Sequence, residues 1–398
     1  MSWAKTAIKN ICMGIYDGPH ATPPIARDGA IFLGISNITP DGHLDLSNSK
    51  YISEEDFPKW TKRVTPQAGD IVFSYEATLN LYAIIPEGFR GCLGRRMALI
   101  RPDEEKVLGK FLYYYFFSDE WRGTIAENTV IGATVDRIPL IRFPDFPVSF
   151  PNPEKQKAIA NILSAYDNLI ENNQKQIKLL EEAAQRLHKE WFVDLRFPGY
   201  ETTPVVDGLP EGWESTTLEN ICALNKQVLA QTDIPPNIPY IGLEHMPRKD
   251  ICLCEWGTSS EVLSSKFLYQ EKDIIFGKIR PYFHKVGFAL NSGIASTDSI
   301  IMRANEGVWG LLLMTVSSVA FVDYVSKTCK EGSKMPRADW NQMKAYPILI
   351  PDEGTREKFE VNIGLITDRI KALALQNRGL AEARDRLLPK LMSGELEV

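Results

Sequence analysis

The stretch from Pro151 to about Asp194 reads PNPEKQKAIANILSAYDNLIENNQKQIKLLEEAAQRLHKEWFVD. Its apolar residues recur in steps of three and four, and this seven-residue spacing predicts the seam of a coiled coil. The seam positions are Ile159, Leu163, Tyr166, Ile170, Ile177, Leu180, Ala184, Leu187 and Trp191, with Asn173 at one polar position. A helix of about 40 residues is about 60 Å long at 1.5 Å per residue, far longer than a small domain's core. We therefore interpret the stretch as a spacer helix.

A second helix with nearly the same pattern is predicted from Pro351 to about Met392. Its seam positions are Phe359, Ile363, Ile366, Ile370, Leu373, Asn377, Leu380, Leu387 and Leu391, with Arg384 as the exception. The ends of a domain usually lie near one another, so the second helix should begin close to the end of the first. The two helices should then pair antiparallel about a pseudo-twofold axis, which places Asn173 opposite Asn377 and Ile177 opposite Leu373.

The rest of the chain is duplicated with the same offset of about 200 residues. Five pairs of segments match: 3–12 with 213–222, 31–35 with 239–243, 69–74 with 272–277, 91–101 with 293–303, and 132–151 with 332–351. Short strands separated by Gly, Pro and Asn turns do not alternate regularly with helices, which predicts an α+β fold. The segments FLYYYFFSDEW from Phe111 and LLLMTVSSVAF from Leu311 are predicted to be core helices. The expected organisation is a first mixed domain at 1–150, a spacer helix at 151–196, a linker and second mixed domain at 197–350, and a second spacer helix at 351–398.

Composition is that of a protein with an ample hydrophobic core: 398 residues, of which 44% are hydrophobic and 24% charged. Six cysteines without a CxxC pair favour a reducing compartment. The N-terminus lacks the apolar segment of a signal peptide, and the longest apolar run, from Val308 to Val322, is too short to cross a bilayer. We therefore expect a cytoplasmic protein with no membrane partner. The formal charge of -6 counts against a nucleic-acid partner.

Catalytic motifs are absent from the sequence. It contains no GxxxxGK[ST] phosphate loop, no GxGxxG turn and no HExxH, and its five histidines lack ligand spacing. We therefore expect a binding or scaffolding protein that is not an enzyme and holds no metal.

The tandem order of domain, long helix, second domain and second helix resembles the specificity subunit of type I restriction–modification systems. The first junction, which ends FPNPEKQKAI, is similar to the family phrase "P…EQ..I", with Glu154 and Gln156 in the expected places. The helix ends LLEEAAQRLHKEWFVDLRF, from Leu179, and LAEARDRLLPKLMSGELEV, from Leu380, also resemble that family. The second junction departs from the pattern, because Arg356 stands where the glutamine is expected.

The resemblance implies a non-catalytic role in which each domain recognises one half of a split sequence in double-stranded DNA. It implies that the helices separate the half-sites and dock two methyltransferase subunits, which the restriction subunits join. S-adenosylmethionine, ATP and Mg would then belong to the partner subunits, and this chain would hold no cofactor. Half-sites on one face of DNA repeat every 10–10.5 bp or so, so helix length should act as a ruler.

Candidate DNA contacts are chosen because forked donors, amides and small hydroxyls read bases, while Lys and Arg bind phosphates. We expect all of them in loops next to strand ends, although a solvated surface would explain any single one equally well. In the first domain they are Lys62, Arg63, Ser74, Tyr75, Arg95, Arg96, Thr134 and Arg137. In the second domain they are Lys278, Arg280, Tyr282, His284, Lys285, Lys334 and Arg337, of which KIRPYFHK, from Lys278 to Lys285, interleaves cations with aromatic rings.

Subunit docking is expected at exposed helix positions, although these could also be an ordinary solvated surface. The candidates are Gln174, Lys178, Glu181, Lys189, Arg378 and Arg386. Two alternatives to the DNA-specificity interpretation stay open. One is a coiled-coil adaptor whose end domains bind proteins, which suits the negative charge. The other is an enzyme acting on DNA through an unrecognised site.

Overall fold

A computed structural model describes residues 3–132, 134–329 and 335–398. The chain divides into two compact units. Unit 1 comprises Met1–Asn168 and Leu380–Val398, and unit 2 comprises Leu169–Gly379. Both mix helices with short strands, so the predicted α+β class is confirmed.

Among its described residues, unit 1 contains nine strands, three short α-helices, the start of one long helix and the end of another. The strands are β1 Ala4–Ala7, β2 Cys12–Asp17, β3 Ala30–Leu33, β4 Lys50–Ile52, β5 Ile71–Ser74, β6 Tyr82–Ile84, β7 Gly91–Leu93, β8 Met97–Pro102 and β9 Pro147–Phe150. The helices are α1 Phe57–Trp60, α2 Gly109–Tyr115, α3 Asp119–Asn128 and α4 Pro153–His188.

Two sheets build the body of unit 1. The antiparallel sheet has the order β2-β8-β5-β6, and the smaller sheet has the order β4-β3-β7, in which β3 and β7 run parallel. One face of the larger sheet packs on the aromatic side chains of α2 and α3, where Phe111, Phe116 and Trp121 are fully enclosed. The strand pair β1-β9 leads the chain into α4.

Unit 2 repeats this plan with fourteen strands among its described residues. They are β10 Val205–Val206, β11 Leu209–Pro210, β12 Glu214–Thr217, β13 Cys222–Asn225, β14 Val228–Leu229, β15 Pro239–Ile241, β16 Cys252–Leu253, β17 Gly257–Thr258, β18 Lys266–Tyr269, β19 Ile274–Gly277, β20 Val286–Ala289, β21 Gly293–Ala295, β22 Ser299–Ala304 and β23 Pro347–Ile350. The helices that follow are α5 Trp309–Val316, α6 Val319–Lys327, α7 Trp340–Met343 and α8 Glu353–Ser393. The larger sheets have the orders β13-β22-β19-β20-β16 and β14-β18-β21-β15-β17.

The two predicted core helices are present, one in each half, and each is interrupted once. Ser118 and Ser318 stand between α2 and α3 and between α5 and α6, where their hydroxyls accept from Trp121 N and Phe321 N. A serine hydroxyl satisfies an otherwise unpaired amide at the start of a helix. The break therefore lies at the same place in both halves.

The long helices begin at the same kind of cap. Asn152 Oδ1 accepts from Lys155 N at 3.0 Å, and Asp352 Oδ1 accepts from Thr355 N at 3.0 Å. α4 continues into a single turn of π-helix at Lys189–Val193. The structure thus confirms both predicted long helices to within a few residues of their expected ends.

Within unit 2, α4 and α8 run antiparallel. Asn173 Nδ2 donates to Asn377 Oδ1 at 2.9 Å and to Gln376 Oε1 at 3.1 Å, while the His188 ring lies 6.3 Å from the Phe359 ring. The predicted contact between the two seam asparagines is confirmed. Supercoiling and the pseudo-twofold axis remain predictions.

The duplication extends to an ion pair between an arginine and a buried aspartate in one sheet of each unit. Arg101 binds Asp70 through two hydrogen bonds of 2.8 Å, and Arg303 binds Asp273 through two of 2.7 Å. Both aspartates are 2% exposed. Because a forked guanidinium matches a carboxylate at two points, the pair fixes β5 against β8 and β19 against β22.

The junction glutamine also has a structural role. Gln156 Oε1 accepts from Leu108 N and its amide donates to Pro151 O, both at 2.9 Å, which ties the start of α2 to α4. In the second half Arg356 replaces the glutamine and its Nε has no hydrogen-bond partner. Glu360, one turn later, accepts instead from Gly310 N and Leu311 N at 2.7 and 2.8 Å. The sequence departure is therefore compensated by a neighbouring residue.

Candidate nucleic-acid interface

Three loop segments of unit 1 are bound together by backbone hydrogen bonds. Tyr75 N donates to Arg96 O at 3.2 Å, Ala77 N to Asp136 O at 3.0 Å, and Ile138 N to Tyr75 O at 2.8 Å. We call residues 74–77, 95–97 and 136–138 the first loop frame. It lies where β5 ends and β8 begins.

Unit 2 contains the same arrangement, built from residues 277–280, 297–299 and 336–338, which we call the second loop frame. Lys278 N donates to Asp298 O, Arg280 N to Pro336 O, and Ala338 N to Lys278 O, all at 2.8 Å. Each bond has its counterpart in the first frame. The two halves therefore present different side chains on one backbone scaffold.

Both frames hold a residue other than glycine in the left-handed region at the same position. Ala77 has φ 70° and Arg280 has φ 53°. This conformation costs roughly 1–2 kcal/mol for an L-residue, so the surrounding hydrogen bonds must impose it. The side chain at this position is consequently presented in a fixed direction.

A hydrogen bond from a side chain to an equivalent backbone carbonyl also occurs in both frames. Tyr75 Oη donates to Arg95 O at 3.1 Å, and Lys278 Nζ donates to Thr297 O at 2.9 Å. A phenol and an ammonium thus bind the equivalent carbonyl. The frame tolerates a change of side-chain chemistry without loss of its backbone geometry.

In and beside the first frame, acidic groups pair with two of the four candidate arginines. Arg63 pairs with Asp17 at 2.5 Å, and Arg96 pairs with Glu76 at 3.5 Å. Burial, together with the Asp17 carboxylate, raises the pKa of Tyr75. Arg95 and Arg137 are exposed at the edge of this cluster.

Next to the second frame, in contrast, cations lie against an aromatic ring. The Arg248 guanidinium lies 4.0 Å from the centroid of the Phe283 ring, and the Arg280 guanidinium lies 5.7 Å from the same ring. Tyr282 packs edge-on against Phe283 at 5.0 Å and remains 54% exposed. Arg248 comes from a distant loop and was not among the predicted contacts.

In and beside the second frame, positive charges lie close enough to lower one another's pKa values. Burial lowers the pKa of Lys285, and the nearby Arg248 lowers it further, while Glu244 raises it. Burial also lowers the pKa of Lys278, with Arg337 adding to the effect and Asp298 opposing it. An anionic ligand here would relieve repulsion between cations.

Three of the candidate DNA contacts are buried, and one of them, Ser74, lies in a strand where a loop was predicted. Ser74 is the last residue of β5 and is fully buried, and Tyr75 is 6% exposed because its ring packs into the core. His284 is 7% exposed, and its Nε2 lies 2.8 Å from Ser317 O. Tyr75 and His284 instead anchor these loops from inside, through Arg95 O and Ser317 O respectively.

The other described candidates are at least partly exposed, so their role as DNA contacts remains a prediction. They are Lys62, Arg63, Arg95, Arg96, Thr134, Arg137, Lys278, Arg280, Tyr282, Lys285 and Arg337. Lys334 lies outside the described residues. The frames bring together Arg95, Arg96 and Arg137 in unit 1, and Lys278, Arg280 and Arg337 in unit 2.

Most of the helix positions predicted for subunit docking are exposed, namely Gln174, Lys178, Lys189, Arg378 and Arg386. Arg378 also lies over the Trp256 ring at 4.1 Å. Glu181 contradicts the expectation, since it is 7% exposed and accepts from Ile251 N at 2.9 Å and Cys252 N at 3.3 Å. The loop before β16 covers this position of the helix.

Among the described residues, no group of three or more His, Cys, Asp or Glu side chains could hold a metal ion. In the same part of the chain no single helix has the length and apolar character to cross a membrane. Only α5 and α6 together, bent by 58°, reach that length and composition.

Comparison with known proteins yields one family. Residues 30–182 match the Type I restriction modification DNA specificity domain. The Methanocaldococcus jannaschii type I restriction enzyme MjaIX specificity subunit is 26% identical over 91% of this chain and 86% of its own length. The Haemophilus influenzae type I restriction enzyme HindI specificity subunit is 20% identical over 89% and 91%.

The fold also has a solved relative. The type I restriction–modification system S subunit from M. genitalium superposes with a TM-score of 0.55 and 16% identity, covering 98% of this chain and 96% of that one. The family model and the curated relatives confirm the resemblance to type I restriction–modification specificity subunits, and the solved structure supports the fold.

Proposed function

We propose that this chain is a specificity subunit of a type I restriction–modification system and recognises a split, asymmetric sequence in double-stranded DNA. Each loop frame would read one half-site. The observation that carries the proposal is the duplicated frame itself, in which three backbone hydrogen bonds recur in both halves while the side chains differ.

The differences between the frames account for an asymmetric target. Tyr75 corresponds to Lys278, Ala77 to Arg280, and a third position changes sign, since Arg96 corresponds to Asp298. Two copies with the same side chains would read the same sequence twice. Frames that place different donors and acceptors at matched points read two different sequences.

The acidic total of -6 is compatible with this function if charge is distributed unevenly. The second frame concentrates Arg248, Lys278, Arg280 and Lys285 within a short stretch of surface. Phosphate contacts by such residues supply affinity that does not depend on sequence. Methyltransferase subunits would enclose the rest of the duplex.

Catalysis would reside entirely in the partners. Two methyltransferase subunits would dock on the exposed helix side chains Gln174, Lys178, Lys189, Arg378 and Arg386, and restriction subunits would join that assembly. S-adenosylmethionine, ATP and Mg would be bound by those subunits.

The test is to co-express the chain with its methyltransferase subunits and to map methylated adenines on a plasmid. A single split motif with methyl groups about one helical turn apart is expected. Omission of this chain is the control, and it should abolish sequence-specific methylation. If no complex forms and no motif is methylated, the chain is instead an adaptor whose end domains bind proteins.

A further inference from the structure

One ring next to the second loop frame contacts two arginines from distant parts of the sequence. Phe283 ends a short 3₁₀ turn, Pro281–Phe283, which lies between two left-handed residues, Arg280 and His284. The buried His284 ring fixes one end of this turn through Ser317 O, and Arg280 N fixes the other through Pro336 O. The short turn that carries the Phe283 ring is therefore fixed at both ends by hydrogen bonds.

Stacking on a ring occupies the flat face of a guanidinium and leaves its N–H edge available. Among the described residues, neither Arg248 nor Arg280 pairs with a carboxylate, whereas in unit 1 Arg63 and Arg96 pair with Asp17 and Glu76. Two guanidiniums without a carboxylate partner thus lie against the same ring of unit 2.

We propose that Arg248 and Arg280 each read a guanine in the half-site of the second domain. This inference rests on the function proposed above and assigns Arg248, a residue outside the predicted contacts, as a determinant of specificity. Guanine is the base that offers two acceptors, O6 and N7, along its major-groove edge, and a forked arginine binds both at once. The Phe283 ring restrains the two side chains beforehand, so little rotamer entropy is lost on binding.

The first frame supplies an internal precedent for the test. Its residue equivalent to Arg280 is Ala77, which adopts the same left-handed backbone at φ 70°. The backbone therefore accepts alanine at this position, and Arg280→Ala is expected to fold. The equivalence also predicts that the half-site of the first domain is read without an arginine at this point.

The experiment uses the full chain assembled with its methyltransferase subunits and a library of duplexes randomised across both half-sites. Wild type, Arg248→Ala, Arg280→Ala and Arg280→Lys are compared, with base preference determined by sequencing the bound fraction at two salt concentrations. Arg90→Ala is the matched control, since its guanidinium also stacks on a ring, Phe57 at 4.2 Å, at the other end of β7 from the first frame.

Each alanine variant should lose preference for one guanine by about 5- to 150-fold, with the other half-site unchanged. Arg280→Lys should lose the same preference while it keeps the salt dependence of the wild type, because lysine retains the charge but not the fork. Arg90→Ala should leave both half-sites unaltered.

Two results overturn the inference in different ways. If a split motif is bound but the alanine variants lose affinity equally at every base, the arginines contact phosphates and the proposed function stands. If the wild-type complex selects no split motif, the proposed function fails and the guanine assignment fails with it.

Discussion

Replacing Arg384 should destabilise unit 1 because this residue is the buried cation between its two long-helix segments. Its side chain is 10% exposed and binds Asp167, which is 13% exposed, with Nη1 and Oδ1 2.6 Å apart. Tyr114 Oη donates to the other oxygen of the same carboxylate at 2.5 Å. Arg384→Ala would leave that carboxylate buried without its counter-ion.

The expected cost is about 3–5 kcal/mol, the usual penalty for removing one partner of a buried ion pair. The second half indicates how the cost could be recovered. Its equivalents of Arg384, Asp167 and Tyr114 are Ala184, Thr367 and Met314, which are all buried, with Thr367 Oγ1 donating to Ile363 O at 2.8 Å. The triple variant Tyr114→Met, Asp167→Thr, Arg384→Ala should therefore regain most of the lost stability.

Hydrogen exchange read by mass spectrometry is the appropriate assay, because it reports unit 1 and unit 2 separately. Arg384→Ala should accelerate exchange in α2 and in the first half of α4, with unit 2 unchanged. A loss below about 1 kcal/mol, or a triple variant weaker than the single one, would refute the reasoning that an uncompensated buried charge sets the penalty.

Three further predictions follow from individual contacts. Asn173→Leu should cost about 1–3 kcal/mol in unit 2 by leaving the Asn377 amide unsatisfied, whereas Asn173→Leu with Asn377→Leu should be close to neutral; urea titration monitored by exchange in α8 compares them. Burial, with the Asp250 carboxylate, raises the pKa of Glu181 to about 7, so the folded state binds the extra proton and unit 2 should lose stability as pH rises toward and through 7. The loss is on the order of 3 kcal/mol, since one pKa unit is about 1.4 kcal/mol, and Glu181→Gln should abolish this pH dependence of exchange. Ala77→Arg should steepen the salt dependence of DNA binding by up to about one unit of slope, measured by titration at several salt concentrations, and an unchanged slope would mean that this position does not face the duplex.

The helices and the duplication could be predicted because their signals are local or periodic. A heptad pattern repeats along α4 and α8, and the symmetric pairing it implies led directly to the contact between Asn173 and Asn377. The α+β class followed from short strands between turn residues. These features depend on spacing along the chain, which a single sequence displays.

The candidate interface was predicted less completely because burial and pairing arise between distant segments. Glu181 looks exposed on its helix, yet the loop at Ile251 covers it. The partner of Arg384 is Asp167, which is not a seam position and lies far earlier in the sequence. Arg248 has no pattern around it, and only the fold places it on the Phe283 ring.

Hydrogen bonds join the domain of each half to its long helix, and they limit where such domains can be exchanged between related proteins. Leu108 depends on Gln156, which lies inside α4, and the start of α5 depends on Glu360, which lies one turn deeper in α8. A recombination breakpoint placed at the visible domain boundary would separate each amide from its acceptor. Breakpoints that preserve folding should fall after Gln156 in the first half and after Glu360 in the second. The exchanged segment then includes the side chain that accepts these hydrogen bonds.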